Sequence, residues 1–485
     1  MIDTKAIRYK ILDLAVRGKL TEQLPEDGTA EELYRQIQTE KQTLIKAGKI
    51  KKGKPLPEIS QDEIPFEIPN NWKWVRWGNL SYQIQYGYNA PAQEKGRIKM
   101  VRITDIQNNK VLWKAVPFCD IDEENIGGYL LRSNNILFAR TGGTVGKSFL
   151  VENVEEEAVF AGYLIRTSFS SELSAKYLKF FMDSRLYWKQ LQDGTTATAQ
   201  PNCNANTLSK MLVPLPPLTE QKRIVEKIEQ AFSVLDTIDE LQKTYADNMT
   251  VLKSKLIDLA IQGKLTEQLP EDGTAEELYQ QIQAEKQNLI KAGKIKKDKP
   301  LPEINKDEIP FEIPDNWKWT RFGTILQVIS GVSYEKSDVS TSGLRILRGG
   351  NIQNMKIILD SSDVFLPIKY KDEEKTIHKG DVVIVASTGS EAVIGKPGYV
   401  EEDDRNTMIG AFLRICRSLS LSLSPFIHIL FMSEYYRQSI RQKAKGTNIN
   451  NVKENYITHL LVPLPPLAEQ KRIVALLDNI MVLFE

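Results

Sequence analysis

The chain has 485 residues, 41% of them hydrophobic and 26% charged, and a formal net charge of +1. This is room for two or more domains with real cores at an ordinary globular composition, and it leaves no apolar run near the roughly 18 residues of a membrane span. The N-terminus MIDTKAIRYK lacks the apolar core of a signal peptide, Cys119, Cys203 and Cys416 stand far apart as expected of free thiols in a cytoplasmic protein, and His378, His428 and His459 have no metal-ligand spacing, so no metal site is expected.

In chain order, Ile7, Ile11 and Leu14 mark a first amphipathic helix. A second comes next, with Asp27 or Thr29 as its cap, acid at Glu31 and Glu32, and Leu33, Ile37, Leu44 and Ile45 along one side. It ends in the basic run KAGKIKKGK, Lys46–Lys54, read either as a solvated helix end or as a phosphate or partner contact. A proline-rich connector, PLPEI to IPFEIP, leads to NWKW. From there the pattern is mixed α/β, with strand-like runs at Lys99–Ile103, Ile136–Ala139 and Phe149–Val151 and a helix over Leu178–Leu191. The polar stretch Gly194–Asn206 reads as a surface loop, or as side chains that reach base edges.

VPLPPLTEQKRIV, Val213–Val225, opens a long helix. Its apolar positions Ile224, Ile228, Ala231, Leu235 and Ile238, then Tyr245, Met249, Leu252, Leu256 and Leu259, form a heptad seam with polar Gln242 at the skipped place. About 40 helical residues make a rod of roughly 60 Å.

The chain then repeats itself. Leu12–Gly78 returns at Ile257–Gly323 almost letter for letter, including GKLTEQLPEDGTAEELY and the basic run at Lys291–Lys299. A second variable block carries strand-like runs at Leu344–Leu347, Val382–Val385 and Phe412–Ile415, a helix over Ile427–Gln442 and a polar tail at Gly446–Asn455. VPLPPLAEQKRIV, Val462–Val474, closes it and starts a C-terminal helix. The N-terminal helix matches the end of the central rod, and the C-terminal helix matches its beginning. Together they form a second rod, split across the termini, that can pair antiparallel with the first. The C-terminal helix stops at Glu485, leaving positions near Thr237–Tyr245 without a counterpart. The expected fold class is α/β: two mixed α/β heads joined by long antiparallel coiled-coil helices, in a pseudo-two-fold internal repeat. The segments are 1–71, helical frame and connector; 72–219, first head; 220–316, central frame; 317–468, second head; and 469–485, C-terminal helix.

The near-neutral total hides a surplus of four basic residues in each head, balanced by acid in the frame. Mildly basic heads suit phosphate contact. TGGTVGKS, Thr141–Ser148, nearly matches a phosphate-cradling loop, but threonine stands where the first glycine is required, and the second block ends GKP. A tight hairpin turn is the better reading, with Lys147 free to touch a phosphate. No catalytic motif appears, which points to binding.

PLPPLxEQKRIV closing each block, GKLTEQ, and IPxNWKW or IPxxWKW opening each block resemble the specificity subunit of type I restriction-modification systems over essentially the whole chain. VRITDIQ at Val101–Gln107 and LRGGNIQ at Leu347–Gln353 are weaker signs. The resemblance implies a non-catalytic chain with two target-recognition domains, each reading one half of a bipartite sequence in double-stranded DNA. Its helices fix the spacer between the halves and dock two modification subunits. S-adenosylmethionine, ATP and Mg belong to the modification and restriction subunits, and this chain holds no cofactor of its own. On side-chain chemistry the candidate DNA contacts are Arg102, Arg140, Thr141, Lys147, Thr195, Gln200 and Asn202 in the first head. In the second they are Arg348, Asn351, Ser387, Thr388, Lys396, Asn448 and Asn450. Glu220, Gln221, Lys222, Arg223, Glu469, Gln470, Lys471 and Arg472 are candidates for docking a modification subunit, and equally for helix capping and first-turn salt bridges. The rival readings are a catalytic methyltransferase or nuclease carrying its own recognition domains, and a two-headed protein adaptor without DNA.

Overall fold

A computed structural model describes residues 1–107, 109–195, 203–297, 299–446 and 450–484. Its backbone packs into two compact units, Met1–Lys243 and Thr244–Glu485. The helix Leu218–Ile261, 44 residues without a break, contributes its first part to one unit and its last part to the other. Each unit therefore gathers frame and head together.

In the first unit the helix Thr4–Val16 starts where the Asp3 carboxylate accepts the Ala6 N–H. It runs antiparallel to the long helix, as the heptad match predicts. The Thr4 hydroxyl donates to Asp239, and Arg8 bridges Asp236 and Asp239 with its guanidinium 5.1 Å from the Phe232 ring. Leu12, Ala15 and Val16 join Ile224 and Ile228 in the main core. Thr29 caps the helix Ala30–Lys46 in a reciprocal box with Glu32. Asp27, the other cap candidate, is instead bound by Arg223.

The head opens on Lys73–Arg76, which pairs antiparallel with its closing strand Leu212–Leu215. The repeated NWKW and VPLP motifs thus clamp the two ends of the block against each other. Beyond this clamp lies a four-stranded sheet in the order Ser81–Tyr86, Leu164–Phe169, Ile136–Ala139, Ser148–Leu150, and a three-stranded sheet centred on Ile98–Val101. The helix expected over Leu178–Leu191 is two helices, Ala175–Asp183 and Arg185–Thr195. Ser184 divides them, its hydroxyl donating to the Phe181 carbonyl and accepting the Tyr187 N–H.

The second unit repeats this plan. Lys318–Arg321 pairs with Leu461–Leu464, and Thr274 and Glu277 form the same capping box at Ala275–Lys291. Its larger sheet has six strands in the order Leu326–Ser330, Leu413–Ser418, Val382–Val385, Pro397–Tyr399, Lys356–Ile357, Ile352–Gln353. The helix expected over Ile427–Gln442 is again two, Ser424–Met432 and Glu434–Ala444, divided at Ser433 by the same pair of hydroxyl bonds. The C-terminal helix Leu467–Met481 buries Ile473 and Leu477 in one core with Ile257, Ala260 and Ile261.

Candidate nucleic-acid interface

Repeated residues of the frame bond to one another in the same way in both copies. Glu220, in the first turn of the long helix, is fully buried and accepts from Trp72 Nε1 at 2.7 Å, Gln23 Nε2 at 2.9 Å and Thr21 Oγ1 at 3.1 Å. Glu469 accepts from Trp317, Gln268 and Thr266 at 2.8, 2.7 and 3.0 Å. Gly18 and Gly263 are left-handed, at φ +67° and +70°, and a Cβ there would strike Pro69 or Pro314. One buried carboxylate therefore ties the GKLTEQ turn and the NWKW tryptophan to the start of the EQKRIV helix.

The rest of EQKRIV is also engaged within its own unit. Gln221 is buried, accepting from Ser174 N and donating to the Pro216 carbonyl, and Gln470 donates to the Pro465 carbonyl. Arg223 donates to Asp27 and Arg472 to Asp272, which holds both aspartates below the ordinary carboxyl range. Of the eight docking candidates, Lys222 and Lys471 are the exposed ones.

The heads, so different in sequence, share a backbone cassette. In the first head Ala161 N–H donates to Val101 O at 3.0 Å, Leu164 N–H to Ala161 O at 2.8 Å, and Arg140 N–H to Tyr163 O at 3.1 Å. In the second, Gly410 donates to Leu347 at 2.9 Å, Leu413 to Gly410 at 2.9 Å, and Ala386 to Phe412 at 2.8 Å. The hairpins match too. Gly146 N–H donates to Ala139 O and Gly395 N–H to Val385 O, while the buried hydroxyls of Tyr187 and Tyr436 donate to the Gly146 and Gly395 carbonyls. TGGTVGKS is thus a hairpin joining Ile136–Ala139 to Ser148–Leu150.

This register pairs Arg102 with Arg348, Arg140 with Ala386, Thr141 with Ser387, and Lys147 with Lys396. Arg102 is held by a bidentate bond to buried Asp105, at 3.0 and 2.8 Å. In the second head Asn351 takes the place of Asp105, so that ion pair is lost and Arg348 is exposed. Asn351 is itself buried, and its amide donates to the Ile358 carbonyl and to Asp363. Arg140 lies over the Tyr86 ring, 4.8 Å from its centroid, with a buried Nε that finds no partner among the described residues. Lys147 is exposed beside a cleft of about 310 Å³ lined by Ile103, Ile106 and Leu164.

Part of the polar tail of the second head, expected to be a surface loop, is a strand. Asn450–Asn451 forms a strand against Ser387–Thr388, with Thr388 opposite Asn450 and Ser387 opposite Asn451. Asn450 is buried and accepts from Gly446 N. In the first head Cys203 N–H donates to Arg140 O, as Val452 N–H does to Ala386 O, so both tails return to the same hairpin. Thr195 ends the helix Arg185–Thr195, while Gln200, Asn202 and Asn448 lie outside the described residues. The basic run of the second frame brings Lys296, Lys297 and Lys299 to a cleft of about 790 Å³ shared with Lys453 and His459. Tyr163 leaves no mark in the sequence, because a lone aromatic in a turn forms no pattern, and Phe412, expected to begin the strand-like run Phe412–Ile415, lies exposed in the turn before the observed strand Leu413–Ser418.

Among the described residues no group of His, Cys, Asp and Glu could hold a metal ion, and no helix is long and apolar enough to cross a membrane. The family model described as type I restriction modification DNA specificity domain matches residues 87–244 and 314–483. The chain is 28% identical to the type I restriction enzyme EcoAI specificity subunit of Escherichia coli, over 98% of this chain and 88% of the relative. It is 27% identical to the EcoEI specificity subunit of Escherichia coli over the same shares. A solved chain from work on complex assembly and conformational transition of the type I R-M system shares the fold at TM-score 0.58 and 19% identity, covering 86% of this chain and 92% of that one.

Proposed function

Because this chain belongs to the DNA specificity subunits of type I restriction-modification systems, we propose that each head reads one half of a bipartite site through the shared cassette. The chain is the sequence-recognition member of its complex and is not itself an enzyme. The target-recognition domains are 72–219 and 317–468, and the frame helices set the spacer between the half-sites. The observation that carries this reading is one backbone cassette in both heads, bearing different polar side chains at matched positions. A fixed scaffold with exchangeable contacts is what two different half-sites require.

Arg140 and Arg348 are suited to guanine, and Thr141, Ser387 and Thr388 to short contacts with base edges. Lys147 and Lys396 lie beside the hairpin as phosphate contacts, which position the duplex without reading it. Asn351 and Asn450, being buried and bonded, shape the reading loops from behind. Gln200, Asn202 and Asn448 belong to the same tails and complete the set.

The partners are two modification subunits, which bring S-adenosylmethionine, and restriction subunits, which bring ATP and Mg, all in the cytoplasm with the DNA. Docking uses the exposed side of the EQKRIV turns, at Lys222 and Lys471. The test is single-molecule methylome sequencing of cells expressing a matching modification subunit, with and without this chain. A bipartite adenine-methylated motif that depends on the chain is the expected result. No new motif from a folded, assembled complex refutes the proposal.

A further inference from the structure

Each head presents one aromatic ring at the same place. Ala161-Gly162-Tyr163-Leu164 and Gly410-Ala411-Phe412-Leu413 are matched tight turns, each closed by a hydrogen bond from its fourth residue to its first. The first and fourth residues are buried, while the third is an aromatic residue 67% exposed at Tyr163 and 68% exposed at Phe412. The carbonyl of that aromatic residue accepts from Arg140 N in one head and from Ala386 N and Ser387 N in the other. The ring is therefore anchored, through its own backbone, to the residues that begin the reading hairpin.

A single exposed apolar side chain is ordinary on a protein surface. Three observations set these two apart. They occupy one register position in heads whose sequences have diverged. The ring is kept while its polar neighbours change, Arg140 to Ala386 and Thr141 to Ser387. The residue before each ring is small, Gly162 or Ala411, which lets another surface approach closely. Phe412 has no polar side-chain atom, so the property shared by the two heads is the flat apolar ring and not a hydrogen bond.

We propose that Tyr163 and Phe412 are paired apolar wedges, one per half-site, that pack into the stacked bases of double-stranded DNA. Such wedges partly unstack a base step and kink the duplex. They contribute affinity for any sequence, and the differing polar neighbours supply the sequence preference. This rests on the reading of the heads as DNA-binding domains.

The test uses the full chain assembled with its modification subunits. Tyr163→Ala and Phe412→Ala are compared with Tyr163→Phe and Phe412→Tyr for affinity on duplexes with and without the methylated site, and for the motif found by methylome sequencing. Each alanine variant is expected to lose about tenfold in affinity on both duplexes, the size of one lost base–aromatic stack, with the motif unchanged and the ring-retaining variants near wild type. A 2-aminopurine walked along each half-site, leaving out the methylated adenine and its neighbours because a methyltransferase flips that base by itself, is expected to brighten at one step with the wild-type complex, and to stay dark with the alanine variant of that head. Full affinity in the alanine variants, a changed motif, or no bright step overturns the wedge. A wild-type complex that binds neither duplex overturns the DNA-binding reading itself, and the wedge with it.

Discussion

Replacing Glu220 by glutamine keeps the shape of the side chain and removes its charge from a buried site with three donors. The carboxylate is fully buried and accepts from Trp72, Gln23 and Thr21. If the new amide nitrogen faces Trp72, two N–H groups confront each other. If it faces the other side, the Thr21 hydroxyl can turn to accept, but Gln23 is held in place, because its amide also donates to the carbonyls of Gly18 and Thr21. Either way one buried donor goes unmet, at about 1–3 kcal/mol. Loss of negative charge in the first helical turn adds about 0.3–1 kcal/mol. The expected destabilisation is about 2–3 kcal/mol, and for a unit of this size each kcal/mol lowers Tm by roughly 2–4 °C. Differential scanning calorimetry of the full chain is expected to show Glu220→Gln melting roughly 4–12 °C lower in the affected unit. Glu469→Gln repeats the experiment in the second unit. A fall below about 1 °C in both would refute the idea that these carboxylates hold the frame together.

Further outcomes are expected in other parts of the chain. Four residues inserted after Leu241 lengthen the helix by about 6 Å and rotate its C-terminal part by roughly 40°; methylome sequencing is expected to report an altered spacer with both half-sites kept, and an unaltered spacer counts against the helix as ruler. His428 stacks on Tyr399 at 4.4 Å, and burial pushes its imidazole down to about 4. Because the unfolded histidine takes up a proton below about 6.5 and the folded one resists, the second unit loses stability as pH falls from about 6.5 toward 4. His428→Phe is expected to flatten that slope in denaturation midpoints between about pH 7 and about pH 5, and an unchanged slope removes His428 as its source. Lys147→Ala or Lys396→Ala is expected to weaken binding evenly across sequences and reduce the salt slope by about 1; a changed methylated motif would make either lysine a base reader instead.

How much of the fold is legible in the sequence depends on which interactions leave a local pattern. The strands Ile136–Ala139, Leu344–Leu347 and Val382–Val385 coincide with their apolar runs because those runs are largely buried. The long helix and the Thr29 capping box announce themselves by heptad and by spacing. The breaks at Ser184 and Ser433 are hidden because apolar periodicity continues across them. Their signal is the serine itself, at the same place in both copies, able to cap a new helix. The strand Asn450–Asn451 has no strand-like composition and forms because Ser387–Thr388 offers it an edge, so tertiary pairing overrides propensity. The Asp105-to-Asn351 exchange is visible in sequence, but its consequence, an Arg102 tied to its loop against an Arg348 left exposed, emerges only when the loops are built.

The division of labour between frame and head arises from where each keeps its polar groups. The frame uses side chains against side chains: Glu220 against Trp72, Arg223 against Asp27, Arg76 against Glu63, each repeated in the second unit. Changing Trp72, Arg223 or Glu63 removes a partner from a buried group: Glu220, Asp27 or Arg76. The backbone cassette of each head is held largely by main-chain bonds, from Ala161 to Val101, Arg140 to Tyr163 and Cys203 to Arg140, and by their equivalents in the second head, with one buried tyrosine hydroxyl on each hairpin. Main-chain bonds do not depend on which side chain projects from them. Arginine at 140 can give way to alanine at 386, and threonine at 141 to serine at 387, with the hairpin unmoved. A head built in this way can exchange the side chains of its hairpin at little cost in stability, while the frame cannot lose a buried partner without cost.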